Sequence, residues 1–125
     1  MEEIKREYYT NGNIKEEKYL LKEQLRRLNG PAEIRYYKNG EIAREKYCIK
    51  DMCHRENGPA IIRYYENGQK EFEVYFINNK ICREDGPVAI YYDEGGSIDE
   101  EYCINGIETL GTLKKLFIRV YDIKD

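Results

Sequence analysis

The chain has no tryptophan, one histidine and three prolines among its 125 residues. His54 is therefore the single imidazole on which a metal or catalytic centre could be built. Basic charge is not in excess either: 21 Lys and Arg stand against 24 Asp and Glu, a net charge of −3. Gripping a nucleic-acid backbone takes a cationic surplus that displaces counterions, and here the signs are interspersed, which argues against that class. No apolar run approaches the ~20 residues of a membrane-spanning helix. The opening Met1-Glu2-Glu3-Ile4 lacks the basic start and apolar core of a secretory leader. On that reading the four cysteines are reduced thiols of a cytoplasmic protein.

What is abundant is charge, at 36% of residues, with a mean hydropathy of −0.84. The 13% of aromatic residues nevertheless argues against disorder, which is poor in aromatics. A thin sheet of repeated units, much of it facing solvent, accounts for both. The repeat is explicit. Gly30-Pro31, Gly58-Pro59 and Gly86-Pro87 lie 28 residues apart, as do Asn11-Gly12, Asn39-Gly40 and Asn67-Gly68. In the fourth copy Glu94-Gly95 comes 27 after Asn67-Gly68, which places a one-residue loss between Pro87 and Tyr91. Three tyrosine series keep the same period: Tyr8, Tyr36, Tyr64, Tyr91; Tyr9, Tyr37, Tyr65, Tyr92; and Tyr19, Tyr47, Tyr75, Tyr102. Self-similarity of this kind signals a repeat architecture. A single domain, 1–125, is expected, with units at about 2–28, 29–56, 57–84 and 85–106 and a C-terminal cap at 107–125.

Each unit reads as a β-hairpin. Pro59 to Tyr65 is rich in β-branched and aromatic residues. Asn67-Gly68 follows, the pair favoured by a type I′ turn with positive φ at both central residues. Gln69 to Ile77 then alternates Lys70, Phe72, Val74 and Phe76 against Glu71, Glu73, Tyr75 and Ile77. A second turn at Asn78-Asn79, matched by Asn105-Gly106, leads to Lys80-Ile81-Cys82. Pro87 lacks an N–H and belongs at a strand start or bend. Ala32, Ile34 and Tyr36, like Ala60, Ile62 and Tyr64, share the face that is the better core candidate. In the first unit Leu20, Leu21, Gln24, Leu25 and Leu28 have helical spacing, but the repeat register predicts a strand ending near Leu21, a turn and a short strand. Like residues on neighbouring units predict aromatic ladders that carry much of the stability. In the tail, Leu110, Leu113, Leu116, Phe117 and Val120 fall on one helical face behind Thr109, a plausible N-cap, predicting a capping helix over about 109–121. A final strand from Leu116 to Ile123 is the competing reading.

The pattern Tyr-Tyr-x-Asn-Gly, Tyr-x-Ile-Asn-Asn/Gly-Lys and Arg-Glu-x-Gly-Pro resembles the MORN repeat in a variant form. Asn79 to Pro87, and Lys50 to Pro59 with His54, stand where the standard repeat has its shorter link. The variant is similar to repeats of bacterial, phage and giant-virus proteins, including YwqK-type antitoxins. The resemblance spans roughly 100 residues. It implies an extended, meandering antiparallel sheet of solenoid type and a binding or scaffolding role. Lipid-headgroup contact, proposed for the family, finds no basic excess here.

For chemistry, His54 with Cys53 and Cys82 is the nearest approach to a metal cluster. Zinc takes four ligands with paired-cysteine spacing, so these read as a link residue beside a buried thiol. A Cys53–His54 dyad fails because adjacent strand residues point to opposite faces. No cofactor, metal or catalytic residue is expected, and an enzyme is disfavoured. Arg27, Arg55 and Arg83, one per link, are expected to bond the neighbouring link. Tyr37, Tyr65 and Tyr92 with Arg35 and Arg63 form the candidate partner surface, since Tyr and Arg are enriched at interface hot spots. The expected role is a non-enzymatic module that binds a protein or itself through this tyrosine-rich face. The alternative is a small-ligand or peptide binder in the manner of an antitoxin or anti-defence protein.

Overall fold

The computed structural model describes residues 2–83, 85–104 and 107–108, with side-chain surroundings as far as Tyr102. Among these the chain is mainly β and antiparallel, and no helix occurs. The expected capping helix over 109–121, its strand alternative, and the turn at Asn105-Gly106 lie outside the described residues. No helix among the described residues is long and apolar enough to cross a membrane.

The first unit supplies β1 (Glu2–Tyr8), β2 (Ile14–Leu21) and β3 (Gln24–Leu25). The second supplies β4 (Glu33–Tyr36), β5 (Ile42–Lys46), β6 (Cys48–Ile49) and β7 (Met52–Cys53). The third supplies β8 (Ile61–Tyr64), β9 (Lys70–Val74), β10 (Phe76–Ile77) and β11 (Lys80–Ile81). The fourth supplies β12 (Ala89–Tyr92), β13 (Ile98–Glu101), β14 (Cys103–Ile104) and β15 (Ile107–Glu108). One nine-stranded sheet runs β1-β2-β4-β5-β8-β9-β12-β13, with β3 folded back on the end of β2. Beyond the sheet each later unit ends in a two-stranded hairpin: β6–β7, β10–β11 and β14–β15. The first unit follows its register rather than its helical spacing, because Leu20 and Leu21 pair with Leu25 and Gln24.

The two turn types are distributed differently from the expectation. At Asn67-Gly68 only the glycine has positive φ, +91°. Tyr65 N–H bonds Gln69 O (2.8 Å), Gly68 N–H bonds Tyr65 O (3.0 Å), and the Asn67 side chain accepts from Gln69 N–H (2.9 Å). This is a type I turn closed by a left-handed glycine, which sets a bulge into the hairpin. Pairing accordingly jumps from Arg63↔Phe72 to Tyr64↔Lys70, leaving Glu71 over. Positive φ at both central residues occurs instead at Lys22-Glu23, Lys50-Asp51 and Asn78-Asn79, the tips of the small hairpins.

The fourth unit corrects the register read from sequence. Its turn bonds are Asp93 N–H to Ser97 O (2.8 Å) and Gly96 N–H to Asp93 O (2.9 Å), so Gly96, at φ +96°, takes the place of Gly68. Tyr92 therefore matches Tyr36 and Tyr64, and Tyr91 matches Arg63. β12 and β13 pair without a shift, Tyr91↔Asp99 then Tyr92↔Ile98. The missing residue is the bulge residue of β13, not one between Pro87 and Tyr91.

Burial also departs from the one-face expectation. Ala32, Ile34, Ala60 and Ile62 are buried as foreseen, but the main apolar cluster forms largely on the opposite face, from Ile61, Phe72, Val74, Phe76 and Tyr91. Phe72 and Val74 are fully enclosed.

Candidate functional site

Two of the tyrosine series make their bonds between units. Ile34, Ile62 and Ile90 lie opposite Glu17, Glu45 and Glu73 of the preceding unit. The tyrosine two residues on shares that face and reaches the carboxylate diagonally. Tyr36 donates to Glu17, Tyr64 to Glu45 and Tyr92 to Glu73, each at 2.5 Å. Such short bonds to an ionised acceptor are among the stronger hydrogen bonds. Burial first, and the facing carboxylate next, push all three phenols above their ordinary value, Tyr92 to about 12. Burial pushes Glu17 up, but the bonds from Tyr36 and Arg6 outweigh it and hold the carboxyl below its usual range.

The second tyrosine of each pair reaches forward. Tyr9 donates to Tyr36 O, Tyr37 to Tyr64 O and Tyr65 to Tyr92 O, each at 2.6 Å. In place of the expected stacking of like rings, these two series join neighbouring units through hydroxyl bonds. The ring contact of Phe72 with Tyr91, centroids 6.3 Å apart, belongs to the apolar cluster.

A third contact explains the Arg-x-x-Gly-Pro link. The guanidinium of Arg27 lies 3.9 Å over the Tyr19 ring, Arg55 3.9 Å over Tyr47, and Arg83 4.0 Å over Tyr75. Each donates through Nη1 to the carbonyl of Pro31, Pro59 or Pro87, at 3.3, 3.1 and 3.0 Å. On its other side lies the link glycine. A Cβ at Gly58 would come within 2.8 Å of Arg55 Cζ, so glycine is what lets the guanidinium lie flat. Each arginine thus bonds the proline carbonyl of its own link, not the neighbouring link as expected, and lies against a tyrosine face. Tyr102, the fourth of this series, is exposed, with its hydroxyl 3.4 Å from Glu100.

The small hairpins are stapled to one another. Asp51 accepts from Leu25 N–H (2.6 Å) while its own N–H bonds Leu25 O (3.1 Å). Asn79 does the same to Cys53, at 3.2 and 2.7 Å. His54 sits in this seam and accepts at Nδ1 from Asn78 N–H (3.0 Å). Among the described residues no group of three or more His, Cys, Asp or Glu converges as a metal-ligand set. Cys48, Cys53 and Cys82 are free thiols. Sequence reasoning missed that Cys48 and Cys53 are direct cross-strand partners. Leu20–Leu25 and Phe76–Ile81 hold the same place in the neighbouring units, a signal already present in the spacing.

Two clefts open between successive links. The first, about 590 Å³, is lined by Arg27, Asn29, Gly30, Tyr47, Ile49 and Arg55 among others. The second, about 580 Å³, is lined by Arg55, Asn57, Gly58, Tyr75, Ile77 and Arg83. Each residue of the second set stands 28 positions after its counterpart in the first, and Arg55 belongs to both. Leu28, 84% exposed, stands at the rim of the first.

The residues expected to form the partner surface are divided. Tyr37 and Tyr65 have their hydroxyls engaged as above. Tyr92 belongs to the other series and bonds Glu73. Arg35 lies 3.4 Å from Glu16, and Arg63, which is buried, 3.4 Å from Glu71. Tyr65 and Tyr92 come together with Tyr91 around a smaller depression of about 380 Å³ at the last hairpin. Comparison with protein-family models, with curated proteins and with solved structures finds no match.

Proposed function

We propose that this protein is a non-enzymatic binding module of MORN-like hairpin units, and that its ligand is an extended segment of a partner protein laid across the two equivalent clefts. The observation that supports this reading is the recurrence of one cleft, wall for wall, in the next unit. Two strands per unit at ~4.8 Å each put the clefts ~10 Å apart, and an extended peptide covers that distance in about three residues. The guanidinium edges and the aliphatic Leu28, Ile49 and Ile77 suit a peptide carrying acidic and apolar side chains at that interval. A cytoplasmic setting and a role of the antitoxin or anti-defence kind agree with the resemblance to variant MORN proteins.

Selection of a random peptide display library on the immobilised protein tests this. Enriched peptides are expected to share an acidic residue with an aliphatic one about three positions away. They are expected to lose affinity at least tenfold, about 1.4 kcal/mol, with Leu28→Asp, which alters an exposed side chain. Failure to enrich any peptide would defeat the reading. The second reading, the tyrosine-rich face, draws on the depression lined by Tyr65 and Tyr92. Binding that survives Leu28→Asp but is lost in a folded Tyr37→Ser, Tyr65→Ser double variant would move the site there.

A further inference from the structure

We propose that Cys48 and Cys53 form a dithiol that hydrogen peroxide closes to a cross-strand disulfide within the folded protein. The hairpin carrying them turns through Lys50-Asp51, both at positive φ, and pairs Ile49 with Met52 and Cys48 with Cys53. Cys53 sends its backbone groups outward: its N–H goes to the Asn79 side chain (3.2 Å) and its carbonyl accepts from Asn79 N–H (2.7 Å). The next rung bond is His54 N–H to Tyr47 O (3.0 Å). Cys48 and Cys53 are thus a non-hydrogen-bonded pair, the antiparallel position whose Cα atoms lie closest, at ~4.5 Å, with side chains on one face. A disulfide needs a Cα separation of ~4.4–6.8 Å, so closure requires no rearrangement of the hairpin.

The hydrogen bond between the two thiols, and then burial, push Cys48 up, while the same bond holds Cys53 below its ordinary value. Burial and Glu33 oppose that lowering, and Lys46 and Arg44 add to it. Exchanging the roles of the two cysteines gives the same disulfide. With Cys53 as the nucleophile, its thiolate attacks one peroxide oxygen, the O–O bond breaks, and hydroxide leaves to become water as it takes a proton. Cys48 sulfur then attacks the Cys53 sulfenic sulfur. The S–S bond forms and the S–O bond breaks, with the Cys48 proton departing in a second water. Two thiols are oxidised and one peroxide is reduced to two waters. The pair is 2% and 3% exposed, and Cys48 forms part of the wall of the first cleft. Packing does not demand sulfur here, since the neighbouring units fill the place with Leu20–Leu25 and Phe76–Ile81.

The test treats the native full-length protein with hydrogen peroxide, quenches it, alkylates it in denaturant without reductant, and maps tryptic peptides by mass. Cleavage after Lys50 separates the two cysteines, so the expected product is Tyr47–Lys50 joined to Asp51–Arg55, two hydrogens lighter than the separate peptides, with Cys82 alkylated. In Cys48→Ser, Cys53 is expected to stop at the sulfenic acid and be trapped by dimedone. The proposal is overturned if both cysteines remain alkylatable, if Cys53 runs on to sulfinic acid in the unaltered protein, or if the linked pair forms only when denaturant is present during oxidation.

Discussion

Arg44 and Phe72 stand at the same place one unit apart, mid-strand and opposite Arg35 and Arg63 respectively. Around Arg44 the face is ionic: Arg44 pairs with the buried Glu33, and Arg35 lies beside Glu16. Around Phe72 the apolar Ile61, Val74 and Tyr91 gather beside the buried Arg63. On the other side of the sheet the two units are alike, each with its tyrosine-to-glutamate bond, its tyrosine-to-carbonyl bond and its arginine over tyrosine. Contacts between units therefore define the sheet, and the opposite face carries either salt bridges or hydrocarbon on the same backbone.

The largest break in this comparison comes from Phe72→Ala, which opens a cavity among fully enclosed neighbours and is expected to cost about 3–5 kcal/mol in a denaturant titration. At the equivalent place Arg44→Ala, which strands the Glu33 carboxylate, is expected to cost about 1–3 kcal/mol. Transplanting the third unit's residues together, Glu33→Ile with Arg44→Phe, is expected to be neutral or stabilising, since an ion pair exchanged for well-packed apolar groups often is. A destabilised but folded double variant would show that the ionic face is required where it stands.

Next in size is Tyr64→Phe, which leaves Glu45 without its donor and is expected to cost about 1–3 kcal/mol. The same substitution at Tyr8, first of that series here, should change stability by less than ~0.5 kcal/mol, because Tyr8 is 58% exposed. Equal effects at the two positions would mean that the bond between units contributes little.

The series also sets an alkaline limit. The phenols of Tyr36, Tyr64 and Tyr92 are raised in the folded state, so their contribution is complete below the ordinary tyrosine value of 10.0 and is lost as pH rises through the folded values, about 12 for Tyr92. Thermal midpoints stepped through that window should fall together with the rise of tyrosinate absorbance, and the fall should be shallower in Tyr64→Phe. A smaller effect than that of Tyr64→Phe is expected for Gly58→Ala, about 1 kcal/mol, as the new methyl displaces Arg55 from Tyr47. With Arg55→Ala already present, Gly58→Ala should cost almost nothing, a non-additivity that a double-mutant cycle reads directly.

Much of this architecture was legible in the spacing of tyrosines, Asn-Gly and Gly-Pro pairs, including the strand-turn-strand at Leu20 to Leu25 that helical spacing contradicted. The fourth unit was misread because Gly95 and Gly96 offer a glycine at either offset, and only the paired strands show which one turns the chain. The positive φ at Lys22-Glu23 and Lys50-Asp51 leaves no glycine to mark it. The role of the link glycine was hidden for a different reason: what it accommodates is a guanidinium returning from three residues earlier, a contact made only in space. The candidate site shows the same limit. Tyr37 and Tyr65 were found as repeating surface tyrosines, but the bonds that occupy their hydroxyls run to the next unit's backbone.

Tyr8 is exposed where Tyr36, Tyr64 and Tyr92 each bond a glutamate, and a growth rule follows from that contrast. Every interior unit gives a phenol backward and receives one from ahead, so the joints number one fewer than the units that make them. Stability in such a chain is set by junctions rather than by members. A further copy of the 28-residue phrase, spliced in at a Gly-Pro link, would bring its own junction and leave its neighbours' bonding unchanged, whereas one unit cut free would have neither.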